Sequence, residues 1–525
     1  MNSDTEVPSG WLERLSDQAC AGRKIASVSP FSNNATICGY PHNDGGPMPF
    51  GLSLEAVDAA CRTVNAGRFV DVPTTVGFCM YIRRAALDRI GQFDAEAFGQ
   101  GYGEENDFCL RASALGWQHR LACDVFVYHK GSVSFGAKAQ ALMQRATQTL
   151  AVRFPEYART VARHVGRGEV NPFRFALTAA LFRQSGLPVI LMVTHALGGG
   201  VRQHIDMLVK RYAGRAHVLL LEGTDRGATL SVPTLKGHPV LAMPDTALDD
   251  YVLLLRSMAI SRLHVHHLLG IDLDVRALIK RLDVPFDVTV HDYFALCPQI
   301  NLLPWRHGVY CGEPDIDGCN ACIAHCASHN ARDIVTWRME HAWLFHDADR
   351  VLCPSVDVLK RLQRYGLAER AQVAPHEAVR AGNWPIRPPR LGKGERLRVA
   401  VLGTLVQHKG GRAVSALAAL AGGKTIDIHL IGHIDGNFPA EARRNMAVTG
   451  EYEPDDLPDL IASVNPHVIW FPMAWPETYS YTLTAAINAG VAIAAPEIGA
   501  FPERLAGRPL TWLADFAVAP QGWVN

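Results

Sequence analysis

The sequence predicts an α/β protein whose second half is a pair of doubly wound, Rossmann-like lobes. After Pro188, short runs rich in β-branched residues alternate with helical segments, and a second series follows the proline- and glycine-rich segment 385–394. Buried strands that alternate with helices are typical of parallel sheets. Ligands of such sheets bind at the carboxyl ends of the strands, so we expect a site where the loops follow the strands.

Each lobe is predicted from its own set of strands. The first lobe, residues 187–380, has predicted strands at 189–194, 217–221, 263–267, 287–291 and 350–353. The second lobe, residues 381–525, has them at 398–403, 426–432, 468–471 and 491–495. Before the lobes we predict a loop-rich region, 1–140, with strands at 75–82 and 124–129. Helices at 139–154 and 173–184 predict a helical linker, 141–186.

The composition excludes several classes of protein. The 525 residues include 51 Lys+Arg and 51 Asp+Glu, and a net charge of zero argues against nonspecific nucleic-acid binding. Hydrophobic residues make up 48% and charged residues 19%, as in folded globular proteins. No apolar stretch is long enough to span a membrane, and the N-terminus lacks the pattern of a signal peptide. We therefore expect a cytoplasmic protein, with peripheral membrane association left open.

Three positions in the lobes suit the binding of a phosphorylated ligand. Gly198, Gly199 and Gly200 follow a predicted strand and open a helix, where the backbone can approach a phosphate; the alternative is a helix cap. Lys409 follows the first strand of the second lobe and can meet a diphosphate as a point charge, or it is a solvated loop lysine. Glu477 precedes a helix and can accept hydrogen bonds from sugar hydroxyls, or it is a favourable first-turn charge.

The N-terminal region contains an acidic run followed by a histidine. Glu104, Glu105 and Asp107 lie so close together that repulsion raises at least one pKa, which suits a general base. The alternative is an acidic helix N-terminus that interacts favourably with the helix dipole. His129 ends the predicted strand 124–129 and is a candidate metal ligand.

Five of the 12 cysteines are bunched in the first lobe. Cys297, Cys311, Cys319 and Cys322 could supply four thiolates to a structural zinc ion, with Cys326 as a spare ligand. Free thiols in a folded loop are the alternative, and the spacing alone favours them.

The motifs of the lobes, taken in order, resemble those of family 4 glycosyltransferases of the two-lobed GT-B fold. They are the glycine-rich turn, His291-Asp292, the segment 348–355, Gly403 with Lys409-Gly410, the segment 430–432, and Pro476-Glu477. The resemblance implies that Lys409 holds the donor diphosphate, Glu477 contacts the donor sugar, the backbone at 198–200 lies near the phosphates, and His291 lies beside the reacting centre. It implies no metal for this part.

Two positions depart from the GT-B family pattern. Thr404 stands where the family usually has an arginine that contacts phosphate. Ala485 stands where the second glutamate of the Glu-x7-Glu motif usually binds the ribose. Both departures imply altered binding of the nucleotide.

The N-terminal region resembles family 2 glycosyltransferases of the GT-A fold. Asn2-Ser3-Asp4-Thr5 is similar to the metal-binding Asp-x-Asp motif, and the segments around Trp11, Phe31 and Phe78, the acidic run and His129 follow in the family's order. The resemblance implies that Asp4 and His129 bind Mg²⁺ or Mn²⁺. It also implies that Glu105 is the base, with Glu104 second. Because the family's nucleotide lobe precedes this aspartate, we expect a partial GT-A module that binds a nucleotide sugar poorly.

The sequence thus predicts a glycosyltransferase that moves a sugar from a nucleotide-activated donor to a growing glycan, with the active site in the GT-B part. The acceptor would be an oligosaccharide or lipid-linked glycan, as in bacterial surface polysaccharide synthesis. The alternative is a non-catalytic glycan-binding or scaffold protein built from degenerate glycosyltransferase domains, which the departures at Thr404 and Ala485 favour.

Overall fold

The computed structural model describes residues 1–42, 46–99, 102–131, 139–224, 227–235, 241–244, 248–304, 309–326, 328–377, 384–387, 389–420 and 424–516. The chain divides into two compact units. The first unit comprises Met1–Ala196, Met207–Leu263 and Leu268–Val284, and the second comprises Leu197–Asp206, His264–His267 and the chain from Pro285 onward. This division does not coincide with the predicted boundaries at 140, 186 and 380, which stay predictions.

The first unit begins with a small mixed sheet and its helices. The elements are β1 (Thr5–Glu6), α1 (Trp11–Cys20), β2 (Ile25–Ser32), α2 (Leu54–Val64), β3 (Phe69–Asp71), β4 (Tyr81–Ile82), α3 (Arg84–Ile90), α4 (Ala95–Phe98), α5 (Glu104–Ala114), β5 (Gln118–His129), α6 (Ala139–Arg153), α7 (Tyr157–Arg167) and α8 (Asn171–Ser185). The strand order is β1-β5-β2-β4, with β3 also paired to β5. Strand β5 is therefore the centre of this sheet, and it is longer than the predicted strand 124–129.

Helix α8 lies in the core of this sheet. Leu177 and Leu181 are fully buried in the cluster that includes residues of β2 and β5. The Arg174 guanidinium, 4% exposed, donates from Nε to the Gly39 carbonyl oxygen at 2.9 Å. The predicted helical linker therefore contains a helix whose apolar side chains and buried arginine fasten it to the N-terminal sheet.

The next elements of the chain form a mixed sheet. They are β6 (Val189–His195), α9 (Gly199–Tyr212), β7 (His217–Thr224), β8 (Gly227–Ser231), β9 (Leu241–Pro244), α10 (Leu248–Ser257), β10 (Ile260–Val265) and α11 (Val275–Leu282). Within the first unit the strand order is β10-β6-β7-β8-β9. The prediction of a purely parallel sheet is wrong here, because β8 pairs antiparallel with both β7 and β9. Only two residues separate β7 from β8, too few for the crossover that parallel neighbours need.

The second unit contains two parallel arrays. The first has β11 (Phe286–Thr289), α12 (Ile316–His325), α13 (Ile334–His341), α14 (Trp343–His346), β12 (Arg350–Cys353), α15 (Val356–Arg364) and β13 (Ala371–Val373), with β12 between β11 and β13. The second has β14 (Leu397–Leu402), α16 (Gly411–Leu420), β15 (Ile426–Ile431), α17 (Ala440–Arg444), β16 (Met446–Val448), α18 (Leu457–Val464), β17 (Val468–Trp470), α19 (Tyr481–Ala489), β18 (Ala492–Pro496), α20 (Phe501–Leu505) and β19 (Thr511–Ala514).

The second array has the topology that creates a binding site. Its strand order is β16-β15-β14-β17-β18-β19, and every pairing is parallel. After β14 the chain forms β15 and β16 on one side of this strand, and then β17, β18 and β19 on its other side. The strands β14 and β17 therefore flank the topological switch point, where open α/β sheets bind ligands at the carboxyl ends of the strands. The predicted doubly wound lobe is confirmed for this part.

Within the described part of the chain, no helix is both long and apolar enough to cross a bilayer.

Candidate functional site

Lys409 and Glu477 lie at the switch point of the second unit. Lys409 is in the loop that follows β14, and Glu477 is in the segment that follows β17. Gly410, with φ of +89°, packs so closely on this segment that a Cβ would lie 2.4 Å from the Pro472 carbonyl oxygen. Only glycine fits there, and this contact holds the lysine loop against the end of β17.

The Glu477 side chain is partly buried at the switch point. This burial raises its pKa above the ordinary value, and the positive charge of Lys409 opposes the shift. Gly499 has a φ of +66°, and the backbone N–H of the next residue, Ala500, donates to the Glu477 carbonyl oxygen at 2.8 Å. The next residue, Thr478, donates from Oγ1 to the His291 carbonyl oxygen at 2.6 Å. The structure thus brings together Lys409, Glu477 and His291, which the sequence had placed in separate motifs.

The glycine-rich turn belongs to the same unit. Helix α9 begins at Gly199, as the sequence predicts within two residues, and its N-terminus carries amide groups that suit an anion. A Cβ at Gly200 would lie 3.6 Å from the Tyr481 ring, so the turn lies against the first residue of α19.

A cavity of about 470 Å³ adjoins this turn. Its lining includes Gln203, Glu377, Arg387, Tyr481 and Ala485. The Glu377 carboxylate accepts hydrogen bonds from the hydroxyls of Tyr479, at 3.1 Å, and Thr484. Ala485, which stands where the family pattern has a glutamate, therefore lines the same cavity as Glu377. Glu377 is not recognisable from the sequence because the three-residue strand before it, β13, has no periodic pattern.

A cluster of histidines occupies the interior of the second unit. The rings of His204 and His376 have centroids 3.9 Å apart, and His291 lies 5.2 Å from each. His266 Nδ1 and His291 Nε2 are 3.0 Å apart and share a proton, and His264 Nε2 bonds the Thr289 hydroxyl at 2.8 Å. The sequence analysis had selected only His291 from this cluster.

Three imidazoles of this cluster, those of His266, His291 and His376, have lowered pKa values. Burial lowers the pKa of His376 to about 2, with the charge of His204 acting in the same direction. Burial and repulsion between neighbouring rings also lower the pKa values of His266 and His291 well below the ordinary value. Neutral imidazole has a nitrogen lone pair, so the cluster consists of acceptors and metal ligands more than of cations.

Asp4 and His129 meet in the first unit, where β1 pairs with the end of β5. The His129 Nε2 and Asp4 Oδ2 atoms are 3.5 Å apart. His129 Nδ1 lies 2.8 Å from the Asn34 carbonyl oxygen, so Nδ1 carries a hydrogen and the other ring nitrogen, Nε2, faces the carboxylate. Asp4 Oδ2 also accepts a hydrogen bond from the Gly131 amide at 3.2 Å, and an imidazole nitrogen and a carboxylate oxygen facing each other can both act as metal ligands. The pair therefore fits Mn²⁺ or Mg²⁺.

The three carboxylates of the acidic run at the start of α5 have different surroundings. Asp107 is fully buried and paired with Arg111 at 2.7 Å and with Arg153 at 2.8 Å, so its role is structural. Burial, helped by the charge of Glu104, raises the pKa of Glu105 to about 7. The Glu104 Oε2 atom is buried and accepts no hydrogen bond from any described residue.

The loop 77–78 connects the acidic run to the Asp4–His129 pair. The Phe78 ring stacks on the His129 ring at 5.1 Å, and a Cβ on Gly77 would lie 3.5 Å from Glu105 Cγ. His129 and Glu105 therefore both lie against this loop, and Asp4 lies beside His129.

The four cysteines predicted as zinc ligands, Cys297, Cys311, Cys319 and Cys322, line one cavity of about 430 Å³. All are free thiols in this structure. Burial raises the pKa of the Cys297 thiol to about 12, so the binding of a metal there requires the loss of tightly held protons. Zinc at this cavity stays a prediction.

No protein-family model and no curated protein sequence matches this chain. Solved structures similar to it include GT-B glycosyltransferases. HepE from Anabaena in complex with UDP-glucose is 15% identical, with a TM-score of 0.42, and the match covers 63% of this chain and 87% of HepE. Sucrose-phosphate synthase from Thermosynechococcus elongatus is 16% identical, with a TM-score of 0.42 and coverage of 63% and 86%.

A third similar structure is WaaG, a glycosyltransferase involved in lipopolysaccharide biosynthesis. It is 13% identical, with a TM-score of 0.41, and the match covers 64% of this chain and 88% of WaaG. At this level of similarity, the chemistry of the chain has to be understood from its own side chains.

Proposed function

We propose that the second unit is a glycosyltransferase that takes a sugar from a nucleotide-activated donor and adds it to a growing glycan. The observation that carries the proposal is that Lys409 and Glu477 lie in the segments that follow β14 and β17 at the switch point, where the charge of Lys409 acts on the Glu477 carboxyl group. A cation and a carboxylate at the same switch point suit the two ends of such a donor, since one would meet the diphosphate and the other the sugar hydroxyls.

The chemistry of the site follows from where charge develops. The leaving diphosphate gains negative charge as the sugar acquires oxocarbenium character, and the Lys409 ammonium together with the N-terminus of α9 stabilises that charge. Glu477 holds the sugar through its carboxylate. His291, neutral and tied to the Glu477 segment, lies beside the reacting centre in this proposal.

Glu377 supplies a carboxylate that Ala485 does not. Both residues line the cavity beside α19, and the Glu377 side chain is held there by Tyr479 and Thr484. We assign Glu377 the contact with the ribose hydroxyls of the donor. An acceptor such as a lipid-linked glycan of surface polysaccharide synthesis is part of the same proposal.

Calorimetric titration of the whole chain with UDP, GDP and dTDP tests the proposal. We expect one of the three to bind without added metal, and the Lys409→Ala variant to bind it about 10- to 100-fold more weakly, because a charged hydrogen bond to phosphate is lost. The matched control is Lys424→Ala, which removes an exposed lysine of the same array. If a folded protein binds none of the nucleotides, the degenerate scaffold is the better description.

A second candidate centre lies in the first unit. We infer that Asp4 and His129 would hold Mn²⁺ or Mg²⁺, which would neutralise a donor diphosphate, and that Glu105 would accept the proton of the acceptor hydroxyl. The support is the facing imidazole nitrogen and carboxylate oxygen and the pKa of Glu105 near 7, which suits a base at neutral pH.

The same titration with added Mn²⁺ examines this second centre. We expect a metal-dependent component of binding that disappears in Asp4→Asn, because the amide cannot replace the anionic ligand. Asp17→Asn, which changes an exposed aspartate on α1, should leave that component intact. Equal metal dependence in the wild type and in Asp4→Asn would show that the pair does not hold the ion.

A further inference from the structure

Three histidines of the second unit converge from three separate elements. His204 is on α9, His291 follows β11, and His376 follows β13. One ring nitrogen from each residue lies within 4.8 Å of those of the other two, and among the described residues no other group of three histidines, cysteines or carboxylates is this compact. We propose that His204, His291 and His376 form a binding site for a divalent transition-metal ion of the zinc class.

The geometry needs only a small adjustment to hold an ion. Nitrogens that bind one zinc ion at about 2.1 Å in a tetrahedral arrangement lie about 3.4 Å apart, so the nitrogens would move closer by at most about 1.4 Å. Rotation of imidazole rings about their side-chain bonds supplies such a movement without a change of the backbone. Three histidines leave the fourth position of a tetrahedral ion for water or a ligand.

The donor atoms determine the class of ion. All three are imidazole nitrogens, which suit zinc, copper, nickel and cobalt, whereas magnesium, calcium and manganese prefer carboxylate and carbonyl oxygens. This separates the site from the Asp4–His129 pair, which includes a carboxylate. The cysteine cavity would offer thiolates instead, so the three sites differ in ligand chemistry.

A neighbouring histidine, His266, orients one of the three proposed ligands, His291. The 3.0 Å contact between His266 Nδ1 and His291 Nε2 fixes the orientation of the His291 ring. His266 is itself 3% exposed, and its Nε2 atom has no hydrogen-bond partner among the described residues. A hydrogen bond from the second nitrogen of a ligating histidine is the usual way in which proteins orient metal ligands.

Cobalt binding to the whole chain tests the site. Metal-free protein is titrated with Co²⁺ and followed by its visible absorption, and Zn²⁺ bound after equilibrium dialysis is counted by mass spectrometry. We expect one ion with no thiolate-to-cobalt charge-transfer band, because no cysteine ligates it. His204→Gln and His376→Gln should each raise the dissociation constant for Co²⁺ more than about tenfold, because each removes a direct ligand.

The controls keep the result interpretable. His346→Gln changes an exposed histidine on α14 and should bind Co²⁺ like the wild type. Circular dichroism of the metal-free variants shows that they are folded. Absence of bound metal, a band typical of thiolate ligands that the histidine variants leave unchanged, or equal affinity in wild type and both variants would each overturn the proposal. Because the readout is metal binding, failure here leaves the nucleotide titration unaffected.

Discussion

Replacement of Arg361 by methionine is expected to destabilise the second unit by about 3–5 kcal/mol. Arg361 lies on α15 and is only 4% exposed. Its guanidinium donates to Asp357 at 2.7 Å and pairs with Glu313, whose side chain is 5% exposed. Methionine retains an apolar stem but removes the buried cation from both carboxylates and leaves Glu313 with the more distant Arg364 as its cation. A buried charge that loses its close partner is strongly unfavourable.

Urea unfolding followed by tryptophan fluorescence measures this change. The matched control is Arg364→Met, since Arg364 approaches the same Glu313 carboxylate at 3.5 Å but is 54% exposed. An exposed pair of this kind contributes at most about 1 kcal/mol. If the two variants lose the same free energy of unfolding, burial of the Arg361 pair is not what makes it important.

The Glu105→Gln variant is expected to remove about 3 kcal/mol of pH dependence from the stability of the first unit. The ordinary glutamate pKa of 4.5 is raised to about 7 in the folded protein, first by burial and then by the charge of Glu104. Between these values the folded state binds more protons than the unfolded state. The wild type therefore becomes less stable as the pH rises through this window, whereas glutamine has no charge to bury at any pH.

Chemical unfolding at several pH values between 4.5 and 8 provides the measurement. The free energy of unfolding of Glu105→Gln minus that of the wild type should grow by about 3 kcal/mol from the low to the high end. Glu96→Gln, at an exposed position on α4, serves as the control and should follow the wild type. Parallel curves for wild type and Glu105→Gln would mean that Glu105 ionises as readily in the folded protein as in the unfolded chain.

Local sequence patterns predicted several parallel strands, and the residues that directly follow them, with errors of one residue or less. The strand Arg350–Cys353 coincides with its predicted range. β15 and β17 each end one residue earlier than predicted, and β14 both begins and ends one residue earlier. Lys409 and Glu477 were recognisable because each follows such a strand in a known order of motifs. Their meeting at the switch point follows from the parallel topology, which brings carboxyl ends to one edge.

Patterns near short or antiparallel strands were less informative. The strands β8 and β13 were not predicted, because five- and three-residue segments carry little periodicity. As a result the mixed character of the first unit's sheet was missed, and so were His376 and Glu377, which follow β13.

The sequence by itself determined the α/β class, the parallel array that ends the second unit, and the side chains to which the proposals assign phosphate, sugar and metal. Only the tertiary structure decided that His204, His291 and His376 lie together, and that Asp107 is paired while Glu105 is desolvated. The physical reason is that ligand geometry and pKa depend on distances between residues far apart in the chain. Such distances are set by packing across several elements, whereas strand and helix formation depends largely on neighbours within a few residues.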